Sequence, residues 1–220
     1  MNPIILFDLG QTLVDYFTRA EFPLLVEAGI SAASEVLGIE APRERVDAEN
    51  CEAPDATVRP LAARLSRIFG VDASGPACDA FTACLIAPGR LYEDTLPALE
   101  ALRRRGYRMG VVSNMPWGTP SEPWAEDMQR RGLSAFMEHI VFCHDVGRRK
   151  PDRRIFEEAL RRFDCAPEDA LFVGDRPGWD VRGAQEAGLR AVLLDRHNEH
   201  PEHPRITALS ELLPLLDRLD

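Results

Sequence analysis

Three aspartates and one lysine that lie far apart in the chain, Asp8, Asp175, Asp180 and Lys150, carry most of the chemistry the sequence offers. Asp8 follows the apolar run 4–7, in Asp8-Leu9-Gly10-Gln11-Thr12, and Ser113-Asn114 follow the run 108–112. Lys150-Pro151 come after the run 139–142, and Gly174-Asp175 follow the run 170–173, with Asp180 five residues further on. An Asp or Ser after one strand is more often a turn or helix-capping residue than a catalyst. Four such ends in one chain are a different matter, because open α/β sheets bind ligands outside the carboxyl ends of their strands. Three carboxylates brought to one crevice repel one another unless a cation or protons intervene. Ligands that are all oxygen, with positions left for water and phosphate, suit Mg²⁺. Such an ion neutralises a phosphoryl group enough for an anionic carboxylate to attack it, while Lys150 adds positive charge and Ser113 donates a hydrogen bond. Asp8 is then the nucleophile of an aspartyl phosphate that water hydrolyses.

These residues need a frame that brings strand ends together. Apolar runs of strand length at 4–7, 108–112, 139–142, 170–173 and 191–194 read as buried parallel strands. Helical periodicity separates them: Leu96, Leu99 and Leu102 share one face, and Ile155, Phe156, Ala159, Leu160 and Phe163 another. Alternating strands and helices predict a doubly wound parallel α/β sheet with right-handed crossovers. One stretch breaks the rhythm. From about Asp15 to about Gly89 only helix-like segments occur, at 20–37, 57–69 and 75–85, so an all-helical insert after the first strand is expected. The domain reading is a core of residues 1–14 and 90–220 and a helical insert of 15–89.

Composition narrows the partners. The chain has 220 residues, 45% hydrophobic and 28% charged, which suits a folded soluble protein. A formal net charge of −10 argues against nucleic acid as a partner. No apolar run reaches the roughly 18 to 20 residues needed to span a bilayer, so no membrane partner is expected. The residues after Met1 read as an apolar strand, so a signal peptide is not expected, and the five scattered cysteines suggest neither a disulfide framework nor a zinc site. The expectation is a cytoplasmic protein, monomer or homodimer, acting on a small phosphorylated substrate.

The motifs also carry a resemblance. Phe7-Asp8-Leu9-Gly10-Gln11-Thr12-Leu13, Val111-Val112-Ser113-Asn114, Lys150-Pro151, and Val173-Gly174-Asp175 with Asp180, Gly183, Ala184, Ala187 and Gly188 are similar, in this order, to the four motifs of haloacid dehalogenase-like hydrolases. That resemblance implies a Rossmann-like core and a helical cap, inserted between the first two motifs, that closes over substrate. It implies Asp8 as nucleophile and metal ligand, and Ser113 and Lys150 as phosphate binders, with Asn114 counted in the same substrate-binding group. It also implies Mg²⁺ held by Asp8, by the backbone carbonyl of Gly10, and by Asp175 and Asp180 directly or through water. Thr12 is placed with the substrate-binding residues and positions the nucleophile loop.

Position 10 departs from the family. Phosphatases of this kind usually carry a second aspartate there, which protonates the leaving oxygen and activates water; this chain has Gly10. Loss of a positioned general acid costs about 10²- to 10⁴-fold, most for alkoxide leaving groups, so aryl or acyl phosphates are the better expected substrates. Three readings stay open: a phosphatase whose acid comes from the cap or the substrate, a dehalogenase whose halide needs no proton, and a weakly catalytic binding or regulatory module.

Trp117, in a proline-rich loop after Ser113, is a candidate substrate contact or a packing residue. Trp179 carries the same ambiguity, with anchoring of a helix start favoured. His197, His200 and His203 recur every three residues, but the intervening prolines predict an exposed loop in which the imidazoles do not converge. Arg148 and Arg149 either lengthen the reach toward an anionic substrate or, as the favoured reading, form a solvated turn, and the leucines of 209–219 read as a terminal helix covering the sheet edge.

Overall fold

The computed structural model describes residues 4–218. Five strands form the body of a parallel sheet: β1 (Ile4–Phe7), β4 (Arg108–Ser113), β5 (His139–Phe142), β6 (Ala170–Gly174) and β7 (Arg190–Leu194). The short β8 (Arg205–Ile206) extends the sheet, giving the order β5-β4-β1-β6-β7-β8. All four residues of β1 and all five of β6 are buried, as expected of central strands covered on both faces. Phe7 stands in register with Val111 on one side and Val173 on the other, so the residues just after these strands meet at one edge. The chain leaves β1 to pair first with β4 and later with β6 on the opposite side, which is the topological switch point of an α/β sheet.

Two helical layers cover the sheet. α5 (Thr95–Arg104) packs with α10 (Leu212–Leu216), while α8 (Arg153–Phe163) packs with α7 (Cys143–Val146) and α9 (Arg182–Glu186); α6 (Glu122–Arg130) follows β4. α8 shows how the sequence specifies its helix. Asp152 caps it by accepting from the Arg154 N–H at 3.0 Å, and Ile155, Phe156, Ala159, Leu160 and Phe163 form its buried stripe.

Between β1 and β4 the chain forms α1 (Phe22–Leu37), α2 (Arg43–Glu49), α3 (Leu61–Phe69) and α4 (Pro76–Ile86). α1 and α4 pack face to face, burying Val26, Ile30 and Ala33 together with Phe81 and Leu85. A two-stranded antiparallel ribbon, β2 (Val14–Asp15) with β3 (Arg90–Leu91), joins both ends of this helical region to the core. A second junction is made by backbone: Val58 N–H donates to Gly147 O at 3.1 Å and Arg149 N–H to Ala56 O at 2.8 Å.

The structure adds elements the sequence reading lacks. β2, β3 and β8 have two residues each, and α2 carries only Val46 and Ala48 among charged neighbours, so none of these presents a periodic apolar pattern. The predicted terminal helix is shorter, a 3₁₀ turn at Leu209–Glu211 followed by α10, and its last predicted residue, Leu219, lies outside the described residues.

Candidate active site

Asp8, Ser113 and Asp175 stand at neighbouring strand ends, and the turn after β6 returns Asp180 to the same place. Carboxylate oxygens of Asp8, Asp175 and Asp180 lie within 4.8 Å of one another. Into this cluster projects Lys150, only 3% exposed, with Nζ 2.7 Å from Asp8 Oδ1, 2.8 Å from Asp180 Oδ1 and 2.9 Å from the Val112 carbonyl. Burial opposes the ammonium charge, but Asp180 and Asp8 outweigh it and hold the Lys150 pKa above its ordinary value. Burial first, then the charges of Asp180 and Asp8, push the Asp175 carboxyl well above the usual carboxylate range. Asp180 is also raised, chiefly by burial, with Lys150 working against the shift. Three carboxylates against one ammonium leave two negative charges when all are ionised, which is the charge a divalent cation neutralises.

The donor set fits a hard cation. It is all oxygen, and the carbonyl of Gly10 accepts no hydrogen bond among the described residues, because the turn is closed by Val14 N–H to Leu9 O and Gln11 N–H to Val14 O.

Local structure fixes each participant. Asp8 N–H donates to Val173 O at 2.9 Å, tying the nucleophile candidate to β6. Gln11 adopts φ +58°, a conformation glycine takes without cost. Its side chain is held on both sides: Nε2 donates to Asp15 Oδ1 and Phe17 O, and Oε1 accepts from Tyr92 OH at 2.9 Å, with His197 Nε2 3.0 Å away. Asp180 Oδ2 accepts from the Arg176 N–H at 2.9 Å.

Over the cluster lies a cavity of about 320 Å³. Phe17, Phe22, Trp117 and Trp179 line it alongside Met115 and Pro116, and Glu52, Arg149 and Arg176 add charge. Glu52 reaches the wall because Arg64, fully buried, gathers its loop by donating to the carbonyls of Glu49 (2.6 Å) and Cys51 (2.9 Å) and to Glu52 Oε2 (2.8 Å).

The predicted residues are not all brought to this cavity. Asp8, Gly10, Ser113, Asn114, Lys150, Trp117, Asp175 and Asp180 line it; Thr12 does not. Thr12 is fully buried in the turn after β1, its carbonyl accepting from Arg196, so it is no substrate contact. Asn114 lines the cavity with its amide engaged. Its amide donates to Lys150 O at 3.0 Å and its Oδ1 accepts the Lys150 N–H at 2.8 Å, so both polar atoms position the lysine. Trp117 is 2% exposed, stacked on Phe81 with Arg64 over its ring, and contributes a fixed wall. Trp179 is 46% exposed and lines the same cavity. Arg149 is a cavity residue and not part of a solvated turn. Tyr16, Glu52, Arg64 and Arg176 were not singled out from sequence, since each acts through partners remote in the chain.

A family model for haloacid dehalogenase-like hydrolases matches residues 3–188, and the chain belongs to that family. Among curated relatives, a glyceraldehyde 3-phosphate phosphatase of Methanothermobacter thermautotrophicus is 41% identical over 48% of this chain and 45% of its own length. A phosphoserine phosphatase of Thermus thermophilus is 40% identical over 48% of this chain and 41% of its own length. The chain thus matches less than half the length of either relative. Among solved structures, a 2-haloacid dehalogenase of Pseudomonas syringae aligns over 100% of both chains with TM-score 0.71 and 26% identity. A phosphatase of the same superfamily from Thermococcus onnurineus aligns over 98% of both chains, with TM-score 0.70 and 23% identity, and shares the fold. No helix among the described residues is long and apolar enough to cross a membrane.

Proposed function

We propose that this protein is a Mg²⁺-dependent phosphatase of small phosphorylated metabolites, with Asp8 as nucleophile and residues 15–89 as a cap over the substrate. One observation carries the reading: Lys150 Nζ bridges Asp8 and Asp180 inside a buried cluster that Asp175 completes. The names of the curated phosphatase relatives support the substrate class.

In this reading Asp8, Asp175, Asp180 and the Gly10 carbonyl hold the ion, which neutralises phosphate charge when bound. The Ser113 hydroxyl in the cavity lining donates to a phosphoryl oxygen, and Lys150, its N–H groups directed at Asp8, Asp180 and the Val112 carbonyl, attracts the phosphoryl group by its charge. Lys150 also fixes Asp8 by holding Oδ1, while Oδ2 accepts no hydrogen bond among the described residues and is the attacking atom. The aspartyl phosphate so formed is then hydrolysed by water.

Phosphate release from a panel of phosphorylated metabolites, with Mg²⁺ and with a chelator, tests this. Turnover is expected only with the ion, and Asp8→Asn is expected to reduce it to background. Unchanged turnover by Asp8→Asn removes the nucleophile assignment. Because a 2-haloacid dehalogenase aligns along the whole chain, halide release from a 2-haloacid is measured in parallel, and none is expected.

A further inference from the structure

Resting on the phosphatase reading, we infer that the substrate is a phosphate ester of a phenol-like, planar, apolar group, so that the leaving group is an aryl oxygen. Two independent features of the cavity lead there.

The first is the engagement of the phenol, ammonium and carboxyl groups in its lining. Gly10 offers no side chain. The Tyr16 hydroxyl is spent on Asp127 Oδ2 at 2.7 Å. Glu52, the carboxylate contributed by the helical region, is bridged between Arg64 at 2.8 Å and Arg149 at 3.5 Å. Lys150 is enclosed by Asp8, Asp180 and the Val112 carbonyl, and Asp175 and Asp180 belong to the carboxylate cluster itself. A leaving oxygen therefore departs without a positioned acid. The missing assistance, about 10²- to 10⁴-fold, weighs most on a basic alkoxide and least on an oxygen whose charge is delocalised.

The second is the wall. Phe17 and Phe22 stack on each other with centroids 5.2 Å apart, Trp117 is locked against Phe81, and Trp179 stands 46% exposed beside Asp180. Polyhydroxylated sugars need hydrogen-bond partners that such rings do not supply, whereas a planar ring gains about 0.5–1.5 kcal/mol from each aromatic neighbour beyond its burial. An acyl phosphate also leaves unaided but has no ring for these walls. Arg149, whose Nε is buried without a hydrogen bond, adds positive charge to the same lining.

The reaction balances without a further reagent. An Asp8 carboxylate oxygen attacks phosphorus, the bond from phosphorus to the aryl oxygen breaks, and its electron pair leaves on a phenolate that takes a proton from solvent. Water then attacks the aspartyl phosphate, the bond from phosphorus to the Asp8 oxygen breaks, and the carboxylate is restored. One proton of that water stays on the released phosphate and the other passes to solvent.

The test compares, on the Mg²⁺-loaded protein, substituted phenyl phosphates, a fluorinated alkyl phosphate whose alcohol matches phenol in acidity, and acetyl phosphate. The expected result is kcat/KM about tenfold or more higher for phenyl than for the matched alkyl ester, the effect of one good aromatic contact. Rates are also expected to rise steeply with the acidity of the phenol. Trp179→Ala is expected to cut the ratio of phenyl to acetyl phosphate turnover several-fold. Equal rates for the matched pair, or no dependence on phenol acidity, overturn the aryl assignment while acetyl phosphate hydrolysis keeps the phosphatase reading. Absence of Asp8-dependent hydrolysis of all three overturns both.

Discussion

Gly174 and Asp180 are packed so closely that a β-carbon on Gly174 would fall 2.5 Å from both Cγ and Oδ2 of Asp180. The glycine ending β6 thus lets the Asp180 carboxylate lie against the backbone, where Oδ2 accepts the Arg176 N–H and Oδ1 meets Lys150. Gly174→Ala must displace Asp180, because the neighbour it meets is short, buried and bonded. Mg²⁺ affinity is expected to fall by about tenfold or more, comparable to removal of a residue that orients a metal ligand, and overpacking to cost about 1–3 kcal/mol. Calorimetric titration with Mg²⁺ and urea denaturation measure the two effects; wild-type affinity in the variant would rule out the relationship.

Among the described residues, Lys150 supplies the sole ammonium among the three carboxylates of the cluster. Replacing it by methionine keeps much of the volume and leaves the acids without their counter-charge. A loss of about 3–5 kcal/mol is expected in metal-free protein, as for other buried pairs broken on one side. Mg²⁺ is expected to restore part of it, since an ion bound only by the native state stabilises that state. Denaturation with and without Mg²⁺ decides; equal losses in both conditions mean that ion and lysine do not share the same charge.

The two parts of this molecule were unequally legible in its sequence. β1, β4, β5, β6 and β7 are buried parallel strands and so read as apolar runs, and the acids that follow them were found by position alone. The same logic could not find Tyr16, whose partner Asp127 is 111 residues away, or Glu52, which reaches the cavity only because Arg64 gathers its loop. The bonding of Asn114 was illegible for a related reason. Its position after β4 resembles that of a ligand-binding residue, but the backbone of Lys150, 36 residues on, takes both its polar atoms.

Tyr16 illustrates a role that is structural first. Its hydroxyl donates to Asp127 Oδ2, which also accepts from Arg131 Nε at 2.6 Å, and its ring packs edge-on against Trp124 with centroids 5.0 Å apart. Burial, then Asp127, hold the phenol above its ordinary pKa, so it stays protonated and donating. Tyr16→Phe removes one buried donor and leaves Asp127 under-satisfied, with an expected cost of about 1–3 kcal/mol. Urea denaturation reads this loss. A catalytic acid would instead show a large fall in kcat at little cost in stability.

Gln11 occupies a left-handed backbone conformation, φ +58°, and offsets it with contacts from both ends of its amide. Two substitutions separate these effects. Gln11→Ala keeps the strain and loses the contacts, whereas Gln11→Gly loses the contacts and relieves the strain. The alanine variant is therefore expected to be less stable than the glycine variant by about 1 kcal/mol, the difference reading out as a lower urea midpoint. Equal midpoints would mean that the amide contacts alone hold the loop.

Gly10 offers the sharpest chemical experiment, because the structure leaves space for the missing side chain. A β-carbon there meets only Tyr16 Cδ2, at 3.8 Å, an ordinary contact, and Gly10 is not among the glycines with positive φ. Gly10→Asp is thus expected to fold as the parent does and to place a carboxyl group in the cavity that Gly10 already lines. Acid assistance matters in proportion to the basicity of the departing oxygen, so alkyl phosphates are expected to gain about 10²-fold and phenyl phosphates much less. The dependence of rate on leaving-group acidity becomes shallower in the variant than in the parent. Measuring both slopes with the same esters keeps substrate binding from being mistaken for proton transfer. If alkyl phosphates gain nothing while the variant still binds Mg²⁺, the limit on turnover lies elsewhere than in the absent acid.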